Sequence, residues 1–186
     1  MRLDGLNALD VDAASREFLR CCGSSRWARK MAAARPFASV DAVVHAADAT
    51  WSGLDRADWL EAFAAHPKIG AGGAGPAGGA GGAGGASEAG GADTARWSAE
   101  EQSGVSAAAD ATRLRLAAAN REYEARFGYI FIVCATGKTA GALLELLERR
   151  LRNDPDAEIQ IAAEEQREIT RLRLAKLLDE GQDTTR

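Results

Sequence analysis

AEEQSGVSAAADATRLRLAAANREYEARFG, residues 99–128, places Val105, Ala109, Thr112, Leu116, Ala119, Tyr123 and Phe127 at successive spacings of three and four. Side chains so spaced share one face of an α-helix, so the stretch predicts a long helix with a buried stripe. Gly128 follows as the residue type that ends helices in a left-handed turn. No period-two alternation of comparable length competes with this pattern, and the fold expected is all-α.

Working outward, the same reasoning marks seven helical segments, near 11–22, 25–34, 40–52, 55–65, 99–127, 139–152 and 156–180. Gly23 lies just past the first, and Ser39 stands before the third as an N-cap. Asp154-Pro155 opens the last, with proline at the first helical position. On that last helix Ile159, Ala162, Ala163, Ile169, Leu172 and Leu177 broadly share an inner face. Between Lys68 and Thr94 the chain is a glycine–alanine tract with 12 glycines from Gly70 to Gly91. Without large apolar side chains it cannot offset its ordering entropy, so residues 70–94 are expected to form a flexible insertion. The roughly 70 residues before it are few for an independent core. One domain over residues 1–186, a bundle of about seven helices with a long internal loop, is therefore expected.

Composition narrows the function classes. The 186 residues are 46% hydrophobic, with much of that share alanine, and carry a formal net charge of −4. That balance, with no long basic run, excludes a general nucleic-acid binder. No run is apolar and long enough to span a bilayer, and the opening MRLDGLNALDVD does not read as a secretory signal, so a cytosolic protein is expected. Cys21, Cys22 and Cys134 form neither a disulfide framework nor a zinc motif, and are expected to be buried free thiols. No metal site is expected.

Four constellations bear on chemistry. YIFIVCATGKTAGALLELL, residues 129–147, has the outline of a strand, a GKT loop and a helix. A phosphate-binding loop requires glycine five positions before Gly137, and this chain has Ile132 there. Thr139 is better read as a helix N-cap and Lys138 as its solvated neighbour. In WSAEEQ, residues 97–102, Ser98 and Glu101 have the spacing of a capping box. The same helix end, flanked by Glu101 and Gln102, equally suits an anionic ligand. His66 precedes Pro67, which forces it out of helical conformation at a helix C-terminus. There the partial negative charge favours a protonated ring, which is either a proton donor or a simple cap. His45, the chain's other histidine, sits mid-helix among apolar neighbours and reads as a packed or surface residue. Finally, Arg171 and Arg173 in RLRL cannot share one helix face; surface salt bridging is the default for either, and one that turns inward needs a carboxylate partner, whether Glu101 or a substrate anion.

Taken together, AHPKIG, WSAEEQ, NREYEARFGYIFIVCATGK and RLRNDPDAEIQIAAEEQREITRLRLAKLL resemble the 2-oxo-4-hydroxy-4-carboxy-5-ureidoimidazoline (OHCU) decarboxylase family. The resemblance runs from about residue 10 to 180 outside the glycine–alanine tract. It implies an all-helical homodimer, working without metal or organic cofactor, that converts OHCU to (S)-allantoin and CO2 in urate degradation. It further implies His66 as the catalytic acid, with Glu101 either orienting it or binding the ureido group. Pro67, Ser98, Glu101, Gln102, the segment Phe131, Ile132, Val133, Cys134 and Ala135, and Arg173 are implied as substrate contacts, Arg173 at the carboxylate. This chain departs from the family in the 32 positions between His66 and Ser98, a longer path than is usual. Two other function classes stand beside this reading. One is a nucleotide-binding protein using the GKT turn. The other is a non-enzymatic interaction module whose halves are joined by the glycine–alanine linker.

Overall fold

The computed structural model describes residues 1–68 and 110–179. The glycine–alanine tract, Ser98, Glu101, Gln102 and the first part of the helix expected from residue 99 lie outside them. Among the described residues there are eight helices and no strand. They are α1 (Leu3–Ala8), α2 (Val11–Cys22), α3 (Ser25–Ala33), α4 (Val40–Ser52), α5 (Arg56–Ala64), α6 (Asp110–Phe127), α7 (Ala140–Arg150) and α8 (Pro155–Asp179). No described helix is long and apolar enough to cross a membrane.

Local chemistry accounts for most of these boundaries. Asp10, Ser24, Ser39, Asp55 and Thr139 each accept a hydrogen bond from a backbone N–H in the first turn of the helix they precede. At α5 the cap is reciprocal, because Asp58 also accepts from the Asp55 N–H. Gly23 and Gly128 end α2 and α6 with φ of 83° and 80°. The helix missed in the sequence is α1. Six residues containing a glycine cannot nucleate alone. Arg35 holds them instead, donating to the Leu6 and Leu9 carbonyl oxygens at 2.7 Å, while Asn7 pairs with both backbone groups of Phe37.

The described chain divides into two compact units. The first combines Met1–His66 with Ile132–Cys134 and the chain from Asp156 onward. Its core sets Phe18 edge-on to Trp27 and Phe37, with centroids 5.9 and 6.3 Å apart. Trp51 enters the same core and its indole N–H donates to the Ala163 carbonyl of α8 at 3.0 Å. Asp48 of α4 grips Arg171 of α8 through two oxygens, at 3.0 Å to Nε and 2.5 Å to Nη2. Residues from both sides of the glycine–alanine tract thus contribute to the core of the first unit. On α8 the inner face contains Ile159, Ala162, Ala163, Ile169 and Leu177 as expected. Leu172 is only half-buried, and Leu174 lies inside instead.

The second unit holds the described parts of Pro67–Phe131 and Ala135–Pro155. Here α6 packs on α7, and Leu116, Ala119, Tyr123 and Phe127 form the buried stripe of α6. Tyr123 is ringed by Phe127, Tyr129 and Phe131, with centroids 4.6, 5.8 and 5.3 Å away. The buried Arg150 guanidinium lies 4.8 Å from the Phe131 ring centroid, a stacking that suits its weakly hydrated plane. Residues 129–135 form no strand, and Thr139 caps α7, so the strand–loop–helix outline of a phosphate-binding loop is absent.

Gly23 is the tightest of these joints. A Cβ there would stand 2.6 Å from the Ala65 Cβ, and its φ lies in the left-handed region. Gly23→Ala is expected to destabilise the fold by roughly 2–4 kcal/mol, combining left-handed strain and overpacking. Thermal denaturation should then show a Tm lowered by roughly 5–15 °C. An unchanged Tm would refute this close approach.

Candidate active site

Helix α5 ends at Ala64, and the next two residues close it with tightened turns, Ala65 N–H to Ala62 and His66 N–H to Phe63. Pro67 forbids another helical residue, so the chain leaves the helix with the His66 ring turned onto α8. There it meets two side chains. His66 Nε2 lies 2.7 Å from Gln166 Oε1, and Arg173 Nη2 lies 3.3 Å from His66 Nδ1.

Gln166, Thr170 and Arg173 follow one another at spacings of four and three, and so occupy one stripe of α8. All three are buried, Arg173 to 1% exposure and Gln166 to 0%. The question posed by RLRL is thereby answered, since Arg173 turns inward while the half-buried Arg171 is paired with Asp48 and Glu168. A neighbouring position on α8, Glu165, accepts the Cys134 backbone N–H at 2.8 Å, fixing the Ile132–Cys134 segment within the first unit.

The electrostatics reverse one expectation from the sequence. Burial, reinforced by the Arg173 guanidinium, pulls the His66 pKa down to about 3, against a smaller opposing effect of the Gln166 hydrogen bond. A helix end carries about half a charge, whereas arginine presents a whole one in contact with the ring. The ring is therefore neutral in this state. Arg173 has only N–H donors, so Nδ1 accepts and Nε2 carries the proton, donating to Gln166. The thiols near this stripe are inert. Burial raises the Cys21 pKa and pushes Cys22 up to about 12. Cys134 differs from expectation in being only half-buried.

Of the residues proposed from the sequence, the first unit brings His66 and Arg173 into contact and contains the buried Ile132 and Val133 together with Cys134. Pro67, Phe131 and Ala135 belong to the second unit. Ser98, Glu101 and Gln102 are outside the described residues. Gln166, Thr170 and Glu165 were missed in the sequence. The available signal was register, because Gln166 falls among Ala162, Ala163 and Ile169 on the inner face of α8. Among the described residues, no three His, Cys, Asp or Glu side chains are grouped so as to hold a metal ion.

Residues 7–175 match the family model described as OHCU decarboxylase. The chain is 40% identical over 165 residues to the uric acid degradation bifunctional protein TTL of Arabidopsis thaliana, covering 88% of this chain and 47% of that protein. It thus spans about half the length of that relative. It is 27% identical over 177 residues to the 2-oxo-4-hydroxy-4-carboxy-5-ureidoimidazoline decarboxylase of Haloferax volcanii, covering 95% of each. A crystal structure of OHCU decarboxylase in the presence of (S)-allantoin superimposes with a TM-score of 0.71 and 34% identity, over 88% of this chain and 98% of that one. A crystal structure of (S)-allantoin synthase, 17% identical with a TM-score of 0.66, shares the fold. With the match running through His66, the Ile132–Cys134 segment and Arg173, the chain belongs to the OHCU decarboxylase family.

Proposed function

We propose that this carboxy-lyase removes CO2 from 2-oxo-4-hydroxy-4-carboxy-5-ureidoimidazoline to give (S)-allantoin, with His66 as general acid and Arg173 as the partner of the substrate carboxylate. The observation that carries the reading is the contact between a buried arginine and the one histidine that ends a helix at a proline. A guanidinium beside the imidazole presents a planar fork of N–H donors that matches a substrate carboxylate. The family resemblance further implies Ser98, Glu101 and Gln102 as substrate contacts, with Glu101 either orienting His66 or binding the ureido group.

The chemistry follows from these groups. The bond to the carboxyl carbon breaks, CO2 leaves, and the electron pair passes into the ring as an enolate-like system. Donors aimed at that developing charge lower the barrier. One proton, held by His66, then moves to the ring carbon from a single face, and the ring recovers a proton from water. The carboxylate also prepares the acid. Drawn to Arg173, it offsets the second cause, after burial, of the low His66 pKa and sets a negative charge beside the ring, so the imidazole becomes better able to hold a second proton when substrate is bound. The resemblance also points to a homodimer as the working form, which light scattering on the purified protein tests.

His66→Ala should abolish stereospecific allantoin formation, a loss of ~10²–10⁴ in rate, with the far-ultraviolet circular dichroism unchanged. The assay follows the circular dichroism of allantoin formed from freshly generated substrate, and a fully active variant would overturn the acid assignment. In the ligand-free protein His66 should show no titration step between pH 5 and 8 by NMR. The unfolded chain binds a proton there near the ordinary histidine value of 6.5, whereas the folded ring does so only near 3. This group's contribution to stability is thus fully present above pH 6.5 and is lost as pH falls toward 3. A His66 step near pH 6.5 in the folded protein would remove the basis for substrate-dependent loading.

A further inference from the structure

The hydrogen bonds around His66 distinguish its two nitrogens. Gln166 is wholly buried, and its amide nitrogen lies 3.2 Å from Thr170 Oγ1 and 3.5 Å from the Cys22 carbonyl oxygen. The Thr170 hydroxyl proton is committed to the Gln166 backbone carbonyl at 2.9 Å, so toward the amide Oγ1 acts as an acceptor. Two acceptors thus face one end of the amide. Reversing the amide would set its oxygen against both of them, so the NH2 stays there and Oε1 faces the imidazole. On the opposite side of the ring, Arg173 can only donate. The two constraints are independent and agree that Nε2 is the protonated nitrogen at rest and Nδ1 the bare one.

We propose that Gln166 is a positioning residue that reserves His66 Nε2 as a permanently protonated spectator, so that the proton delivered to substrate travels on Nδ1. The inference rests on His66 as acid and Arg173 as carboxylate partner. Nδ1 is the nitrogen that faces Arg173, and hence the site of the carboxylate and of the ureido-bearing carbon next to the one it leaves, where the new C–H bond of allantoin forms. With the carboxylate drawn to Arg173, Nδ1 takes a proton from water and the ring carries both. The C–C bond breaks, its electron pair enters the substrate ring, and the Nδ1 proton passes to carbon. The imidazole returns directly to its starting tautomer, and no ring flip or proton exchange at Nε2 is needed between turnovers. Among the described residues, the charge that acts on the ring is Arg173, and the facing α2 thiols of Cys21 and Cys22 are kept neutral by burial.

Nitrogen-15 multiple-bond NMR on the ligand-free protein reads the tautomer directly, and a His45→Gln background leaves His66 as the one imidazole. The expected spectrum has a protonated Nε2 and a bare Nδ1, constant from pH 5 to 8. A protonated Nδ1, or an averaged pair, overturns the proposal without any variant having to fold. Gln166→Leu removes the acceptor, and should mix the tautomers and lower kcat on the order of 10²-fold while KM stays near the wild-type value. Gln166→Glu keeps an acceptor at Nε2, so it should preserve the tautomer and retain more kcat. Its pH profile should move upward by about 1–3 units as the new carboxylate favours the charged ring. A Gln166→Leu enzyme with wild-type kcat, or a Gln166→Glu profile that does not move, overturns the positioning role. Activity surviving in His66→Ala would instead remove the acid assignment, leaving the tautomer result standing.

Discussion

A guanidinium buried against a neutral imidazole is the constraint around which the first unit is arranged. Two unit charges at about 4 Å interact by roughly 4 kcal/mol at the effective dielectric of a protein surface, and burial strengthens the effect. The helix end that carries His66 offsets that by about 1 kcal/mol, or ~2 kcal/mol in the best partly buried cases. Burial and Arg173, in that order, therefore decide the ring's state, and α5 decides only its place. Such a contact contributes nothing to folding on its own and has to be held by its surroundings. The holding elements are the Trp51–Ala163 hydrogen bond, the Asp48–Arg171 pair and the apolar residues of α8 on either side of its polar stripe.

The end of α2 shows how that support reaches the imidazole. A helix leaves its last carbonyl oxygens without intrahelical partners, and Cys22 is the last residue of α2. Gly23 turns the chain away in a left-handed conformation and lets the end of α5 approach closely. The Cys22 carbonyl accepts from Gln166, which in turn accepts from His66. One helix terminus thus serves as stop, packing surface and orienting acceptor. Thr170 adds the second acceptor from within α8, so the glutamine amide has one orientation consistent with both neighbours.

Much of this architecture was legible in the chain because it is written in local rules. Caps at Ser39 and Thr139, the glycine stops at 23 and 128, and the stripe through Leu116, Ala119, Tyr123 and Phe127 all follow from periodicity and turn chemistry. His66 and Arg173 were named from motifs, and the structure joins them. The misses share one physical cause. Helix α1 exists because Arg35, 26 or more residues along the chain, caps its carbonyls. Leu172 and Leu174 exchange places because a 25-residue helix presents different sectors to different neighbours along its length. The charge state of His66 differs from the sequence expectation because the helix end is visible in sequence, whereas the ring's burial and a guanidinium 107 residues away are not. Long-range placement, rather than propensity, separates what was legible from what was not.

The same placement bears on how an acid can be kept for one substrate. A histidine already protonated in the empty site would need no signal from the carboxylate, and any bound proton acceptor could draw on it. Under the proposed reaction the empty site holds the opposite state, a bare Nδ1 facing a cation. An anion placed at Arg173 shifts that balance, and the substrate's anion is the group that departs as CO2. Once it leaves, Arg173 regains its effect on the ring, which favours release of the proton at the moment the carbon is ready to receive it. Binding and proton delivery are coupled through one cation, so the interaction with the carboxylate acts on the chemical step as well as on affinity. In that scheme the unfavourable contact between Arg173 and His66 is what times the proton transfer.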